Sequence, residues 1–152
     1  MSYLLDVNFL VALFDPKHVN HESAHTWFAA RGTRCWATCS ITEGGCVRVL
    51  SSPSYPTVTT TPVEVIGRLR RFCAAGGHSF WPDDVSLRTS LDGAVTARLQ
   101  GYRQVTDFHL AALALQRGGH LVTFDGRLQR ALAGTALAPA VVLVEQRRDA
   151  SG

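Results

Sequence analysis

The first apolar segment of the chain, Tyr3-Leu4-Leu5-Asp6-Val7-Asn8, limits the fold because it begins almost at the first residue and stops at a carboxylate. A short continuous apolar run is typical of a strand that is buried on both faces of a parallel sheet. Such a strand would place Asp6 at the carboxyl end of the sheet, where open α/β sheets bind their ligands. The segment therefore predicts an α/β fold with a site built around Asp6.

Short β-type runs and helical patterns alternate along the rest of the chain. Four further strands are predicted at residues 35–39, 78–81, 121–124 and 141–144. Apolar residues at helical spacing predict helices over residues 7–14, 18–31, 40–50, 62–75, 85–91, 107–115 and 128–132. Because parallel neighbouring strands need crossover connections, this alternation predicts a three-layer α/β/α sandwich with a mainly parallel central sheet.

Length and composition favour one domain. The chain has 152 residues, 46% of them hydrophobic, which suffices for a single core; we assign it to residues 1–146, with a polar tail at 147–152. We find no targeting segment and no apolar run of about twenty residues, so we expect a cytoplasmic protein with no membrane partner. The net charge of +3 comes mainly from arginine, which binds phosphates well, and is compatible with a nucleic-acid partner.

Four acidic residues stand where predicted strands give way to turns or helices: Asp6, Glu43, Asp107 and Asp125. Each alone has a structural explanation, respectively as a helix N-cap, the third residue of a capping box that starts at Ser40, a first-turn acid and a turn residue. In a parallel sheet, however, all four positions fall on the same edge. Four carboxylates crowded there cannot all stay ionised without a cation, because like charges raise each other's pKa.

Oxygen ligands of this kind favour a hard divalent ion. Mg²⁺ or Mn²⁺ keeps several waters and leaves room for the phosphate oxygens of a substrate. Such an ion lowers the pKa of bound water, and two ions about 3.5–4 Å apart would contact both the attacking and the leaving oxygen. The four acids therefore predict hydrolysis of a nucleic-acid backbone. Asn8, Thr106 and Thr123 would orient the acids or a ligand, although ordinary helix, cap and strand roles also explain them.

The four acids lie in short segments with a characteristic order. These segments are Leu4-Leu5-Asp6-Val7-Asn8, Ile41-Thr42-Glu43 followed by Arg48-Val49-Leu50, Val105-Thr106-Asp107 followed by Leu110-Ala111-Ala112-Leu113-Ala114, and Thr123-Phe124-Asp125. In this order they resemble the successive motifs of the PIN-domain family, and most closely those of VapC-type toxins from bacterial toxin–antitoxin pairs. The resemblance extends from residue 3 to about residue 145.

The resemblance implies a PIN-like, Mg²⁺- or Mn²⁺-dependent endoribonuclease that forms a homodimer and is held inactive by a cognate antitoxin. By position, Asp6 and Asp107 would be the main metal ligands. Glu43 would bind the metal or position the attacking water, and Asp125 would be the fourth, often outer, acid. All four acids are present, so the resemblance implies an active enzyme that cleaves RNA.

A competing motif is His21-Glu22-Ser23-Ala24-His25, which matches the HExxH pattern of zinc proteases. On a helix, the two histidines would share one face and Glu22 would act as the base. The sequence offers no clear third zinc ligand downstream, and His25 shares its face with apolar residues. We therefore expect His25 to be a partly buried structural histidine and keep a zinc-dependent hydrolase as an alternative.

Two other classes of protein also compete. A phosphohydrolase of the haloacid dehalogenase type places a nucleophilic aspartate at the same point, but it needs a second aspartate two residues later, where this chain has Asn8. The second class is a domain that binds RNA or a protein without catalysis. The loss of any acid would have favoured it, and none is lost.

Cysteines and partner surfaces complete the predictions. The four cysteines lack paired spacing, so we interpret them as reduced core thiols rather than as a zinc site; they are Cys35, Cys39, Cys46 and Cys73. Trp27, Phe28 and the helix over residues 63–72 form either the antitoxin groove or dimer face, or ordinary core. Most of the arginines are expected to be solvated, and some of them to contact RNA phosphates.

Overall fold

The computed structural model describes residues 1–146, so the predicted tail lies outside the described residues. Five parallel strands form one sheet in the order β3-β2-β1-β4-β5. The strands are β1 (Tyr3–Leu5), β2 (Trp36–Thr38), β3 (His78–Phe80), β4 (His120–Thr123) and β5 (Val141–Leu143). The predicted α/β fold with a parallel sheet is confirmed.

The helices follow the predicted alternation. They are α1 (Val7–Phe14), α2 (His21–Trp27), α3 (Ser40–Ser51), α4 (Pro62–Ala74), α5 (Leu87–Ser90), α6 (Gly93–Thr96), α7 (Val105–Gln116) and α8 (Gly126–Leu132). A π-helical turn, Phe28–Gly32, extends α2, and 3₁₀ turns at Tyr102–Gln104 and Ala138–Ala140 precede α7 and β5. Among the described residues, no helix has both the length and the hydropathy needed to cross a membrane.

Hydrophobic side chains alternate between two layers along β1, β2, β4 and β5, as expected for a sheet covered on both faces. The strand residues of the first layer, which α7 and α8 cover, are Leu4, Ala37, Leu121 and Val141. The strand residues of the second layer, which α1, α3 and α4 cover, are Tyr3, Leu5, Trp36 and Val122. The three-layer arrangement follows from this alternation.

One predicted helix was wrong in its extent. Residues 85–91 were expected to form a single helix, but α5 begins only at Leu87 and a separate helix, α6, begins after Asp92. The Asp92 carboxylate accepts a hydrogen bond from the backbone N–H of Val95 at 2.9 Å. This N-cap favours the start of a new helix, because it satisfies a backbone N–H that has no partner within the first turn of that helix.

The predicted N-cap of α3 was wrong by one residue, because the capping box was expected to start at Ser40. Cys39 occupies the N-cap position, and its backbone N–H donates to the hydroxyl of Thr42 at 3.0 Å. Glu43 therefore does not cap the helix, and its carboxylate is available for other contacts. The close packing of α3 on α1 is visible at Gly45, where an added Cβ would lie 2.6 Å from Cγ2 of Val7.

The cysteine prediction was only partly correct. The four cysteines are free thiols, and Cys39 and Cys46 are buried in the two hydrophobic layers. Cys73 is half-buried on α4, whereas Cys35 is exposed because it lies in the turn before β2 rather than in the strand.

A buried carboxylate attaches the loop between α3 and α4 to the end of α1. Asp15 is fully buried and accepts hydrogen bonds from the hydroxyls of Tyr55, at 2.6 Å, and Thr57 and from the backbone N–H of Lys17, at 2.9 Å. Burial alone would raise the pKa of Asp15, but these three hydrogen bonds outweigh it and lower the pKa. Burial and the neighbouring carboxylate raise the pKa of Tyr55 to about 12.

We expect Asp15→Asn to lower the free energy of unfolding at pH 7 by about 2–3 kcal/mol, because two half-buried hydroxyls lose an ionised acceptor that is itself buried. Since the folded-state pKa of Asp15 lies below its unfolded value of 3.8, the stabilisation is present above that value and is lost as the pH falls through the folded pKa. Urea unfolding at pH 7 and pH 3 should show the loss shrinking in acid. The control is Asp84→Asn, which alters an exposed ion pair with Arg117. An equal loss at both pH values would contradict this assignment.

Candidate active site

The carboxylate of Asp6 is buried at the end of β1, with 5% of the residue exposed. Its backbone N–H donates to the carbonyl of Val122 in β4, which continues the parallel pairing by one residue. One carboxylate oxygen accepts from the backbone N–H of Val7 at 2.8 Å and the other from the hydroxyl of Thr123 at 2.9 Å. Burial raises the pKa of Asp6, the two hydrogen bonds oppose this, and the charge of Asp125 raises it further.

Asp107 comes to this site from a helix rather than from the end of a strand. It is half-buried in the first turn of α7, which follows the 3₁₀ turn Tyr102–Gln104. Burial, followed by repulsion from Asp6 and Asp125, raises the pKa of Asp107 to about 7. Three of the predicted acids therefore interact electrostatically: Asp6, Asp107 and Asp125.

Thr123 connects two of these acids directly. Its hydroxyl donates to Asp6 and accepts the backbone N–H of Asp125 at 3.0 Å. Asp125 is the N-cap of α8, where one carboxylate oxygen accepts the backbone N–H of Arg127 at 2.9 Å. Thr123 therefore contacts two of the acids directly, as its predicted position beside them suggested. Asn8 and Thr106 are exposed in the first turns of α1 and α7.

Glu43 makes its contacts with residues of β2 and β3, which lie on the opposite side of β1 from β4. The hydroxyl of Thr38, at the end of β2, donates to the Glu43 carboxylate at 2.7 Å. The same hydroxyl lies 2.8 Å from Nε2 of His78 in β3. Because the hydroxyl has one proton and gives it to Glu43, Nε2 of His78 must be the donor in the second hydrogen bond. The chain of hydrogen bonds runs from His78 through Thr38 to Glu43.

Sequence reasoning missed both Thr38 and His78. Burial lowers the pKa of His78, and the charge of Glu43 partly opposes this effect. The available signal was positional, since Thr38 and His78 belong to neighbouring predicted strands. Their meeting depends on the β2–β3 register, in which Trp36 lies opposite His78 and Thr38 opposite Phe80.

The carboxylate oxygens of the acids are suitable ligands for a hard metal ion, but the acids do not form a complete coordination shell. Over residues 1–146, no group of three or more His, Cys, Asp or Glu side chains is arranged to hold a metal by itself. The carboxylates of Asp6, Asp107 and Asp125 nevertheless repel one another, and a cation would relieve that repulsion. Mg²⁺ is commonly bound by one or two carboxylates together with waters, which is the arrangement that these residues fit.

A cleft of about 500 Å³ opens beside the acids. Its walls include Asp107 and Asp125 together with the side chains of Tyr102, Arg103 and Arg127. All three of these non-acidic residues are exposed. The cleft therefore combines carboxylates with arginines that would attract a phosphate-bearing ligand.

The HExxH histidines cap a helix. Nδ1 of His21 lies 2.7 Å from the carbonyl of Ala12, and Nε2 of His25 lies 2.9 Å from the carbonyl of Leu13. Both carbonyls belong to the last turn of α1, where helical hydrogen bonds are missing. The expectation that His25 is partly buried was wrong, because α2 presents it to solvent; its role as a structural histidine agrees with the contact. In the part of the chain that the structure describes, no third His, Cys, Asp or Glu completes a metal site with these two.

The fold is that of a PIN domain. The model of the PIN domain family matches residues 3–134, and the chain belongs to this family.

The chain is also similar to three ribonucleases of Mycobacterium tuberculosis (strain ATCC 25618 / H37Rv). Ribonuclease VapC39 is 48% identical over 128 residues, which cover 84% of this chain and 91% of that protein. Ribonuclease VapC44 is 45% identical over 130 residues, covering 82% and 87% of the two chains. Ribonuclease VapC38 is 47% identical over 122 residues, covering 80% and 84%. The resemblance to the VapC group is confirmed.

We expect Asp107→Asn to stabilise the metal-free protein at pH 8. The folded-state pKa of Asp107, about 7, lies above its unfolded value of 3.8, so its contribution to stability is present below the unfolded value and is lost as the pH rises through 7. The gain should be on the order of 1–2 kcal/mol, because solvent screens a half-buried group. It should shrink as the pH is lowered toward 4.

Urea unfolding in EDTA across this pH range measures the effect, with Asp84→Asn as the matched exposed control. A variant that is no more stable than the wild type at pH 8 would show that burial and the neighbouring acids do not raise the pKa of Asp107 as described.

Proposed function

We propose that this chain is a metal-dependent endoribonuclease and the toxin of a toxin–antitoxin pair. Membership of the PIN domain family and the name ribonuclease, carried by three relatives, support the enzymatic part of this proposal. The observation that carries it is the buried Asp6, which interacts with Asp107 and Asp125 beside an arginine-lined cleft. A protein that only binds RNA has no need to bury acids that repel each other and the phosphates.

Asp6 and Asp107 are the residues that would hold Mg²⁺ or Mn²⁺, with Asp125 as the outer acid. The donor set supports a hard ion because it consists of carboxylate oxygens. When bound, such an ion would lower the pKa of a coordinated water and offset the charge of the phosphodiester. The hydrogen bonds from Val7 and Thr123 fix both oxygens of Asp6, so this ligand is oriented before any ion binds.

Glu43 has the role of positioning the attacking water in this proposal. The hydroxyl of Thr38 fixes the Glu43 carboxylate, and His78 in turn fixes Thr38. A carboxylate held in this way accepts a proton from water in a defined direction. Thr38 and His78 are therefore positioning residues, since they act through Glu43.

RNA is the substrate that the charges of the cleft support. Arg103 and Arg127 line the cleft, and both are exposed and able to contact phosphate oxygens. Phosphate contacts by arginine supply much of the affinity for nucleic acids. The net charge of +3 acts in the same direction over a longer range.

The antitoxin would occupy a surface other than the aromatic residues suggested by sequence. Trp27 packs edge-on against Tyr3 and Phe9, and Phe28 packs against Trp36, so both contribute to the core. A groove of about 790 Å³ between α3, α4 and β3 is more accessible, with Glu43 and the exposed Ile66 in its walls. An antitoxin arginine that reached the acids from this groove would compete with the metal. The homodimer stays a prediction.

The alternatives have less support. A zinc-dependent hydrolase would need the HExxH histidines as ligands, and both already bind helix carbonyls. A haloacid dehalogenase would need an acid at the position of Asn8, which is exposed and cannot donate the required proton. A domain that only binds RNA would differ from a nuclease in that it leaves bound RNA uncut when a metal is supplied.

We expect Asp6→Asn to abolish cleavage of purified total cellular RNA while the protein stays folded, because the substitution removes one charged metal ligand and leaves the side-chain volume unchanged. Wild type and variant are incubated with Mg²⁺, with Mn²⁺ and with EDTA, and fragments are resolved by electrophoresis. Cleavage by the wild type should need a metal, and Asp84→Asn should cleave like the wild type. A folded, fully active Asp6→Asn protein would contradict the proposal. An antitoxin-free wild type that binds RNA but does not cleave it would favour a domain that only binds RNA.

We expect His21→Ala to keep nuclease activity within about twofold and to lower the free energy of unfolding by about 1 kcal/mol, because one carbonyl at the end of α1 loses its donor. Activity on total RNA and urea unfolding measure the two effects. Loss of activity that zinc restores, in a folded variant, would instead revive the zinc-dependent hydrolase.

A further inference from the structure

An aromatic side chain stands unusually exposed at the mouth of the cleft. Tyr102 is 80% exposed, although it is large, apolar over most of its surface and located beside a site of carboxylates and arginines. It lies in the 3₁₀ turn Tyr102–Gln104, immediately before α7. An exposed aromatic ring at such a place is available to a ligand, whereas its contribution to the fold is small.

Hydrogen bonds hold the turn that carries this ring. The side-chain oxygen of Gln104 accepts the backbone N–H of Gln100 at 2.7 Å, and the backbone N–H of Gln104 donates to the carbonyl of Gly101 at 3.2 Å. Arg103 adds a contact to the ring itself, with its guanidinium 5.7 Å from the ring centre and Nε donating to the hydroxyl at 3.2 Å. The ring is thus oriented before a ligand arrives.

The position of the turn relates Tyr102 to the acids. Asp107 is five residues further along, in the first turn of α7, so the axial rise between the two is roughly 8 Å. Asp107, Asp125 and Tyr102 line the same cleft. Arg127 extends from the start of α8 with 87% of its side chain exposed, and its Nε lies 3.8 Å from the Asp125 carboxylate. A chain that passed over the acids would therefore meet an aromatic face and two guanidinium groups.

We propose that Tyr102 stacks on an unpaired base of the RNA near the scissile phosphate, while Arg103 and Arg127 contact neighbouring phosphates. The proposal rests on the nuclease function proposed above and specifies how the same site holds its substrate. Aromatic rings bind bases of any sequence through their faces, and arginine binds phosphates, so the three side chains match the two repeating parts of a nucleotide chain.

This arrangement selects unpaired RNA. Within a double helix both faces of a base are covered by neighbouring bases, so a protein ring can reach a base face only after unstacking. The cleft therefore favours single strands, loops and bulges over duplexes. Discrimination between bases is expected to be weak at Tyr102, because every base offers a similar face.

Binding of fluorescein-labelled oligoribonucleotides to the full chain in EDTA tests the stacking contact without cleavage. The probes are a 12-nucleotide oligoadenylate and an abasic chain of equal length, each measured by fluorescence anisotropy. Tyr102→Ala should weaken oligoadenylate binding about tenfold and abasic binding by less than twofold. Tyr102→Phe should bind like the wild type, whereas Tyr102→Leu should fall between the two because it keeps apolar volume and loses the flat ring.

Leu115→Ala is the matched control, since it removes an exposed apolar side chain at the far end of α7. It should leave both affinities unchanged. Arg127→Ala should weaken both probes alike and should reduce the dependence of affinity on salt by about one ion. Arg103→Ala should also reduce the salt dependence, but should weaken oligoadenylate binding more than abasic binding, because Arg103 contacts the Tyr102 ring.

Equal losses of Tyr102→Ala on the oligoadenylate and on the abasic chain would overturn the proposal, as would unchanged binding of both. Unchanged RNA binding combined with weaker binding of a partner protein would also overturn it and would assign Tyr102 to a protein interface. Because this test is made without metal, it is independent of cleavage. If the wild type cleaves RNA but Tyr102→Ala shows no base-dependent loss of affinity, the nuclease function stands and the stacking contact is rejected.

Discussion

The burial of the Asp6 carboxylate is the constraint on which the site depends. A carboxylate at the end of a buried parallel strand loses hydration, and this loss must be offset by donors. The start of α1 supplies one donor and Thr123 of β4 supplies the other, so the two oxygens are fixed by elements that flank β1 in chain and in space. The same hydroxyl of Thr123 accepts the backbone N–H of Asp125. One side chain thus sets the relation between two acids that are more than a hundred residues apart.

The fold and the proximity of Asp6, Asp107 and Asp125 could be predicted because the signals are local or follow from topology. Apolar runs of three to four residues identify the strands, and parallel connection brings their carboxyl ends to one edge. The placements of Asp6 and Asp125 follow from this rule alone. Asp107 lies at the start of α7, which no strand precedes directly, so it was wrong to expect a strand end before this acid. Its place on the same edge was predicted because helices begin there, and the family resemblance gave it the same position.

The environment of Glu43 shows what sequence could not provide. A shift of one residue in the start of α3 decides whether this carboxylate caps the helix or contacts Thr38. The contact from Thr38 to His78 depends on the β2–β3 register, and strand register is a property of the packed sheet. Tyr102 belongs to the same category, because an aromatic residue in a loop sequence carries no sign of its exposure.

A buried aspartate lies at each end of α1: Asp6 at its start, in the candidate site, and Asp15 at its end, where it has a structural role. The helix dipole favours an anion at Asp6 and disfavours one at Asp15, yet the pKa of Asp6 is raised and that of Asp15 is lowered. Burial raises the pKa of Asp6, and its two donors do not outweigh burial and the charge of Asp125. At Asp15 two hydroxyl donors and a backbone N–H outweigh burial. A buried acid whose donors outweigh burial is a structural anchor. A buried acid whose neighbours include other carboxylates, as with Asp6, matches the cation-binding role proposed for it.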